Sequence, residues 1–245
     1  MKQADAVYEA MKQLGGFATF GQLNQVALKV EGCQWKTKTP FATIRRIVQQ
    51  DERFFRIKPG LWALNEERAK LQTLGVLEVA GNTEKAKVFE HSYYQGLLVE
   101  IGNLLSMSTF VPYQDKNKPF TGTQKLCDVA TIEKFYDFTY ERLVRRAITI
   151  DVTWFNERQL PNAFFEVEHS TDIQNSLLKF LDLQDFRAQF YIVANEARKA
   201  EWKNKMSLAA FKPLEGLVDF INYDSLAQRY EKETQLAAVR AATNF

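Results

Sequence analysis

Two neighbouring stretches decide the fold: ITIDVTWF at residues 148–155 and NAFFEVEHSTD at residues 162–172. The two-residue period of a β-strand places Asp151 on the face opposite the apolar residues of the first stretch. In the second stretch, Glu166 and Glu168 share a face with Phe164. Apolar strands seldom carry carboxylates toward a core, because an unpaired buried carboxylate is costly. The two stretches therefore predict adjacent strands that bring three acids together.

Three carboxylates on neighbouring strands suggest a divalent metal site. Carboxylate oxygens suit Mg²⁺, with Mn²⁺ as a second possibility, and Mg²⁺ fills its other positions with water and substrate phosphate. This chemistry is that of a nuclease. The alternative is that the acids are ordinary surface charges on a solvated face or near strand ends, and spacing alone leaves both interpretations open.

Composition limits the class of protein. A chain of 245 residues is long enough for two modest domains. No apolar run reaches the length of a membrane span, and the start MKQADAVYEA has no signal-peptide core, so no membrane contact and a cytoplasmic location are expected. Two cysteines and two histidines provide neither a disulfide framework nor a zinc-binding spacing.

Charge is unevenly distributed along the chain. Residues 1–64 contain ten Lys and Arg against five Asp and Glu, whereas the remainder contains 22 basic and 25 acidic residues. The basic amino-terminal stretch is therefore the expected anion-binding part.

The amino-terminal stretch predicts three helices followed by a β-hairpin. The first helix ends at Gly15-Gly16, and the second runs from about residue 20 to 30 with Thr19 as its cap. Thr39 and Pro40 begin the third, which continues to Gln50. Two short apolar runs, 54–57 and 61–64, flank a Lys-Pro-Gly turn. This is the order of a winged helix, in which the third helix enters a DNA groove.

Basic and polar side chains accompany the third helix and the hairpin. They predict a surface that contacts double-stranded DNA, mainly through its phosphates. The alternative is a set of solvated charges on a winged helix that binds protein. The candidate DNA-binding residues are Lys36, Lys38, Arg45, Arg46, Gln49 and Lys58.

Residues 4–64 resemble a known family. The KTP of residues 38–40, the following TIRRIVQQD and the hairpin FRIKPGLWAL are similar to the HARE-HTH domain, a winged helix-turn-helix of restriction endonucleases and chromatin-associated proteins. The resemblance covers about a quarter of the chain. It implies a DNA-sensing module, with modified bases as a possible target.

The rest of the chain predicts an α/β (α+β) domain. A helix over residues 85–107 is followed by strands at 108–113, 148–155 and from 162, a helix at 171–183 and a strand at 188–194. A further helix at 195–206, a strand at 217–223 and a final helix capped by Asp224 complete the pattern. Residues 126–140 have no clear assignment. The predicted domains are a winged helix at 1–65, a linker at 66–84 with a short helix from Glu66 to Leu74, and a second domain at 85–245.

This αβββαβ order resembles the PD-(D/E)XK superfamily, the fold of many restriction enzymes, over residues 85–223. Matched residue by residue, Asp151 and Glu166 correspond to the metal-binding acids, and Glu168 stands where the family usually has Lys. Glu100 corresponds to an acid often contributed by the first helix, and His91 and Gln95 on that helix are weaker candidates. Lys179 is interpreted either as a replacement for the missing Lys or as an ordinary lysine of a helix surface.

The resemblance implies a Mg²⁺-dependent endodeoxyribonuclease of type II restriction kind. Asp151, Glu166 and Glu168 are the predicted catalytic residues, and Asp151, Glu166 and Glu100 the predicted metal ligands. A dimer is expected, because cutting both strands is easiest for a symmetric pair. His169 is expected to be structural, because alternation turns it away from Glu168. The rival hypothesis is a catalytically inactive DNA-binding or regulatory protein on a nuclease fold.

Overall fold

A computed structural model describes residues 1–81 and 83–243 of the protein. The chain divides into two compact units. The first contains residues 1–89, 120–124 and the chain from 227 onward, and the second contains residues 90–119 and 125–226. No helix within the described residues is long and apolar enough to cross a membrane. The mixture of helices with sheets of mixed strand orientation confirms the predicted α/β class.

The first unit begins with three helices and a small antiparallel sheet in strand order β1-β3-β2. A capping box between Thr19 and Gln22 fixes the start of α2, as predicted. Thr39 does begin α3, but its side chain makes no capping hydrogen bond. The hairpin of β2 and β3 is confirmed, whereas β1 was not predicted. The elements are α1 (Gln3–Gln13), β1 (Phe17–Thr19), α2 (Phe20–Ala27), α3 (Pro40–Gln50), β2 (Phe54–Lys58), β3 (Leu61–Leu64), a 3₁₀ turn (Asn65–Glu67) and α4 (Arg68–Leu74).

The second unit is built on a five-stranded sheet of order β4-β5-β6-β7-β8. β4, β5 and β6 pair antiparallel, and β6, β7 and β8 pair parallel. The helix α5 (Thr83–Leu104) begins in the first unit and continues into the second. The other elements are β4 (Ser108–Phe110), α6 (Leu126–Val129), α7 (Glu141–Ala147), β5 (Val152–Phe155), β6 (Pro161–Glu168), α8 (Ile173–Leu181), β7 (Gln189–Ala194), a 3₁₀ turn (Glu196–Arg198), α9 (Lys199–Met206), a second 3₁₀ segment (Ala209–Leu214), β8 (Val218–Asn222) and α10 (Tyr223–Thr243).

The predicted start of the first acidic strand is wrong. The backbone N–H groups of Ile148, Thr149 and Ile150 donate to carbonyls of the unpredicted helix α7. Amides that complete a helix end cannot pair in a sheet, so the strand begins only at Val152. Asp151 therefore lies in the turn that leads into β5. The final helix also starts two residues earlier than predicted, so Asp224 lies in its first turn rather than at its cap.

Helices pack on both faces of the sheet. On one face, Phe164 of β6 belongs to a core that includes Leu177 and Phe180 of α8. On the other face, the Trp154 indole N–H donates to the Leu98 carbonyl of α5 at 3.0 Å. A Cβ atom at Gly102 would lie 2.7 Å from Trp154 Nε1, so only glycine permits this close approach of helix and sheet.

Candidate active site

Asp151 is fixed where β5 and β6 begin to pair. Val152 is opposite Phe165, and one further step in this antiparallel register places Asp151 opposite Glu166. The Asp151 Oδ2 atom accepts a hydrogen bond from the Val167 backbone N–H at 2.7 Å. Its Oδ1 atom lies 3.4 Å from Nε2 of His91 on α5. The backbone of β6 and a side chain of α5 thus both orient this carboxylate.

Glu166 is a buried acid that faces α8, as alternation along β6 predicted. Its Oε1 atom lies 2.7 Å from Lys179 Nζ, and its Oε2 atom lies 3.0 Å from Ser176 Oγ. Burial and then the negative charge of Asp151 raise the pKa of Glu166 to about 8, although Lys179 opposes the shift. Asp151 and Glu166 are therefore close enough to repel each other, and a divalent cation between them would relieve that repulsion.

Lys179 is not an ordinary helix-surface lysine, so that interpretation is wrong. Its Nζ atom donates both to Glu166 and to the Thr149 carbonyl, the latter at 3.0 Å. Only 22% of its side chain is exposed. The ammonium group of Lys179, near the end of α8, therefore lies beside the buried Glu166 carboxylate of β6.

Glu168 is buried on the same face of β6 but has its own partners. The hydroxyls of Thr171 and Ser176 donate to its two oxygens. Arg198 Nη1 lies 3.8 Å from its Oε2. Protein donors thus occupy both oxygens of Glu168, and its role in catalysis stays a prediction.

Candidates on and near α5 lie in different places. Gln95 Nε2 donates to the Asp151 carbonyl at 3.2 Å, so both Gln95 and His91 contact Asp151. Glu100 is nine residues beyond His91, about 13 Å along the helix axis. The single group of potential metal ligands found among residues 1–81 and 83–243 consists of His91, Asp115 and Asp151, and Glu100 does not belong to it. His169 follows β6, and its Nδ1 lies 3.3 Å from Glu90 Oε2.

Sequence reasoning missed Asp115. It lies in the polar loop after β4, yet it is 3% exposed. Gln95 Nε2 donates to Asp115 Oδ2 at 2.8 Å, and Lys118 Nζ lies 2.6 Å from its Oδ1. The polar loop DKNKPFTGTQ carries no periodic signal, so nothing in the sequence indicated that this acid is buried.

The candidate DNA-binding residues of the first unit differ in their surroundings. Arg45 forms a two-pronged ion pair with Glu231 of α10. Lys58 Nζ lies 5.1 Å from the centre of the Phe89 ring. The other four side chains, those of Lys36, Lys38, Arg46 and Gln49, are exposed to solvent.

A match to a known family covers all of the second unit and part of the first. The family model of the type II restriction enzyme NmeDI C-terminal domain matches residues 76–243, more than half of the chain. The chain belongs to this family. The matched segment of this chain contains all the acidic candidates and Lys179, whereas the predicted winged helix lies outside that segment.

The chain is also similar to a full-length restriction enzyme. The chain is 26% identical over 151 residues to the type II restriction enzyme NmeDI of Neisseria meningitidis serogroup C. The alignment covers 57% of this chain and 42% of that enzyme, so the chain spans less than half of its relative. No solved structure matches the chain.

The buried acid predicts how stability depends on pH. The pKa of Glu166 is raised from 4.5 to about 8, so the folded protein retains a proton that the unfolded chain has lost. The unfolded state then binds fewer protons, and the free energy of unfolding falls as the pH rises across this interval. Burial lowers the pKa of His91, but the hydrogen bond and the negative charge of Asp151 together raise this pKa above its ordinary value, so His91 acts with the same sign.

Urea denaturation of the metal-free protein between about pH 5 and 9 measures this effect. The Glu166→Gln variant, which has no carboxyl group to titrate at this position, should lose less stability over the same interval. Equal pH dependence in the two proteins would contradict the assignment to Glu166.

Proposed function

We propose that the chain is a metal-dependent DNA endonuclease of restriction or defence type. The observation that carries the proposal is the buried arrangement of Asp151, Glu166 and Lys179. Two carboxylates that repel each other beside a lysine suit a hard cation and a phosphate group. Membership of the NmeDI family supports DNA as the substrate.

Asp151 and Glu166 would hold the Mg²⁺ or Mn²⁺ ion. Such an ion, when bound, makes water more acidic and stabilises the negative charge that develops at a phosphodiester. The Val167 backbone N–H keeps the Asp151 carboxylate in place. In the PD-(D/E)XK superfamily a lysine usually stands at the strand position that Glu168 occupies here. Lys179 would supply the positive charge in its place, so it is suited to bind a non-bridging phosphate oxygen or to orient water.

The order of elements supports the two finer assignments. Helix α5, strands β4, β5 and β6, helix α8 and strand β7 follow the αβββαβ order of the PD-(D/E)XK superfamily, with the short helices α6 and α7 inserted between β4 and β5. At the amino terminus, α1, β1, α2, α3, β2 and β3 follow the order of a winged helix, which supports the HARE-HTH assignment. A homodimer would allow both strands of a duplex to be cut.

Cleavage of plasmids tests the proposal directly. Unmodified, methylated and hydroxymethylated plasmids would be incubated with the protein, with and without Mg²⁺ or Mn²⁺. Cutting of at least one substrate that requires the metal is the expected result. DNA binding without cutting under every condition would instead favour the inactive, regulatory alternative, for which the Glu at position 168 is the best support.

The exposed side of α3 is proposed to contact DNA. We expect Arg46→Ala to weaken duplex binding about tenfold, or about 1.4 kcal/mol, because Arg46 is free to reach a phosphate. Arg45→Ala should have a smaller effect, since the Arg45 guanidinium is already paired with Glu231. Fluorescence anisotropy with a labelled duplex at several salt concentrations measures both. A larger effect at Arg45 than at Arg46 would contradict the proposal that DNA contacts the side of α3 that carries Arg46.

A further inference from the structure

A second group of cation ligands lies on the α5 side of Asp151. The ligand atoms of His91, Asp115 and Asp151 all lie within 4.8 Å of one another. They come from three separate segments: helix α5, the loop after β4 and the turn before β5. Neither Glu166 nor Glu168 belongs to this group, which shares only Asp151 with the pair of acids proposed above to bind Mg²⁺.

An independent observation points to a ligand at this place. Gln95 is fully buried, and its amide Nε2 contacts both acidic residues, through Asp115 Oδ2 and the Asp151 carbonyl. The amide Oε1 of the same group has no hydrogen-bond partner among the described residues. A buried amide oxygen without a partner is costly, because folding has removed its hydrogen bonds to water and replaced them with nothing. Gln95 also follows His91 by one helical turn, so both side chains project from one face of α5.

The two carboxylates are compensated by protein cations that a metal ion is able to replace. Lys118 Nζ pairs with Asp115, and the His91 imidazole pairs with Asp151. The Lys118 side chain is 30% exposed, so its ammonium group is free to turn toward solvent on a flexible stem. Asp115 itself has only 5% of its side chain exposed, so removing both cations without replacement would leave a costly buried charge.

The donor set determines which cation fits. An imidazole nitrogen with two carboxylates and an amide oxygen suits first-row transition metals, whereas Mg²⁺ prefers oxygen ligands alone. We propose that His91, Asp115 and Asp151 form a site for a divalent transition-metal ion such as Zn²⁺, with the Gln95 amide turned so that its oxygen, in place of Nε2, faces the two acidic residues. The site shares Asp151 with the proposed Mg²⁺ pair but does not depend on cleavage activity.

The imidazole nitrogens provide a direct test. The chain contains only two histidines, so the ring signals of ¹⁵N-labelled protein can be assigned with His91→Gln and His169→Gln. One equivalent of Zn²⁺ is expected to shift a ring nitrogen of His91 and to leave His169, which pairs with Glu90, unchanged. The same concentration of Mg²⁺ should shift neither. Zn²⁺ held by the free thiols Cys33 and Cys127 would leave the His91 signal unchanged and would overturn the proposal.

Variants separate this site from the proposed active site. Asp115→Asn and Gln95→Met are each expected to weaken Zn²⁺ binding at least about tenfold, because the first replaces a charged carboxylate with a neutral amide and the second removes the amide oxygen. Glu166→Gln should bind Zn²⁺ as the wild type does, even if it cannot cleave DNA. The backbone amide spectrum confirms the fold of each variant, and Gln95→Met serves if Asp115→Asn does not fold. Unchanged Zn²⁺ affinity in a folded variant of either kind, or equal shifts at both histidines, would overturn the proposal.

Discussion

Replacing Glu166 with Gln is expected to lower metal-dependent DNA cleavage at least about 1,000-fold, or about 4 kcal/mol of transition-state stabilisation. The change removes the charge that would bind the metal but keeps nearly the same shape. The Gln oxygen still accepts from Lys179, and the amide remains within reach of Ser176. Because the wild-type carboxylate is buried and its pKa raised, the variant should unfold no more easily than the wild type near pH 8.

The combination of lost cleavage and retained stability distinguishes a metal-binding role from a structural one. Glu157→Gln, the same substitution at an exposed position in the same unit, is the matched control and should cut at the wild-type rate. Initial rates on a supercoiled plasmid, together with urea denaturation curves, supply both measurements. Cleavage by Glu166→Gln at the rate of the control would refute the assignment.

Replacing Lys179 with Met is expected to reduce cleavage about 100-fold, or about 2.7 kcal/mol. The substitution removes the positive charge beside Glu166 while keeping most of the unbranched side chain. Without that charge, the pKa of Glu166 should rise further, because Lys179 is the main group that lowers it. The pH at which cleavage reaches half of its maximum should therefore move to higher values, a shift that a merely structural lysine would not cause.

The test compares pH–rate profiles of the wild type, Lys179→Met and Lys179→Arg. The Arg variant keeps the charge and should recover part of the rate, although its planar head differs from an ammonium group. Lys203→Met, at an exposed position on α9, is the matched control. An unshifted profile with an unchanged rate in Lys179→Met would show that another group supplies the positive charge.

Local periodicity was sufficient to orient the second acidic strand. Alternation along β6 placed Glu166 and Glu168 on the face of Phe164, and both do face α8 with it. The helical spacing that predicted α8 also brought Lys179 into consideration, but its ion pair depends on how α8 packs against β6. The packing of one element against another depends on the side chains of the whole core, so a local sequence pattern does not predict it.

The errors have equally specific causes. Ile148 and Ile150 are β-branched and have strand preference, yet the end of α7 takes their backbone N–H groups. Asp115 is buried by contacts with residues of α5, which the sequence of its own loop does not indicate. Tertiary contacts override local preference at both places, and both places adjoin Asp151.

The hydroxyl of Ser176 has a consequence for how protons are arranged around β6. It contacts both Glu166 Oε2 and Glu168 Oε1, but a hydroxyl carries a single hydrogen and can donate to one carboxylate at a time. If the hydroxyl donates to Glu168, the contact with Glu166 is attractive only while Glu166 carries a proton of its own and donates it to the serine oxygen. Ionisation of Glu166 would therefore leave two carboxyl groups competing for the single Ser176 hydroxyl hydrogen. The direction of the Ser176 O–H bond would then depend on whether Glu166 is protonated.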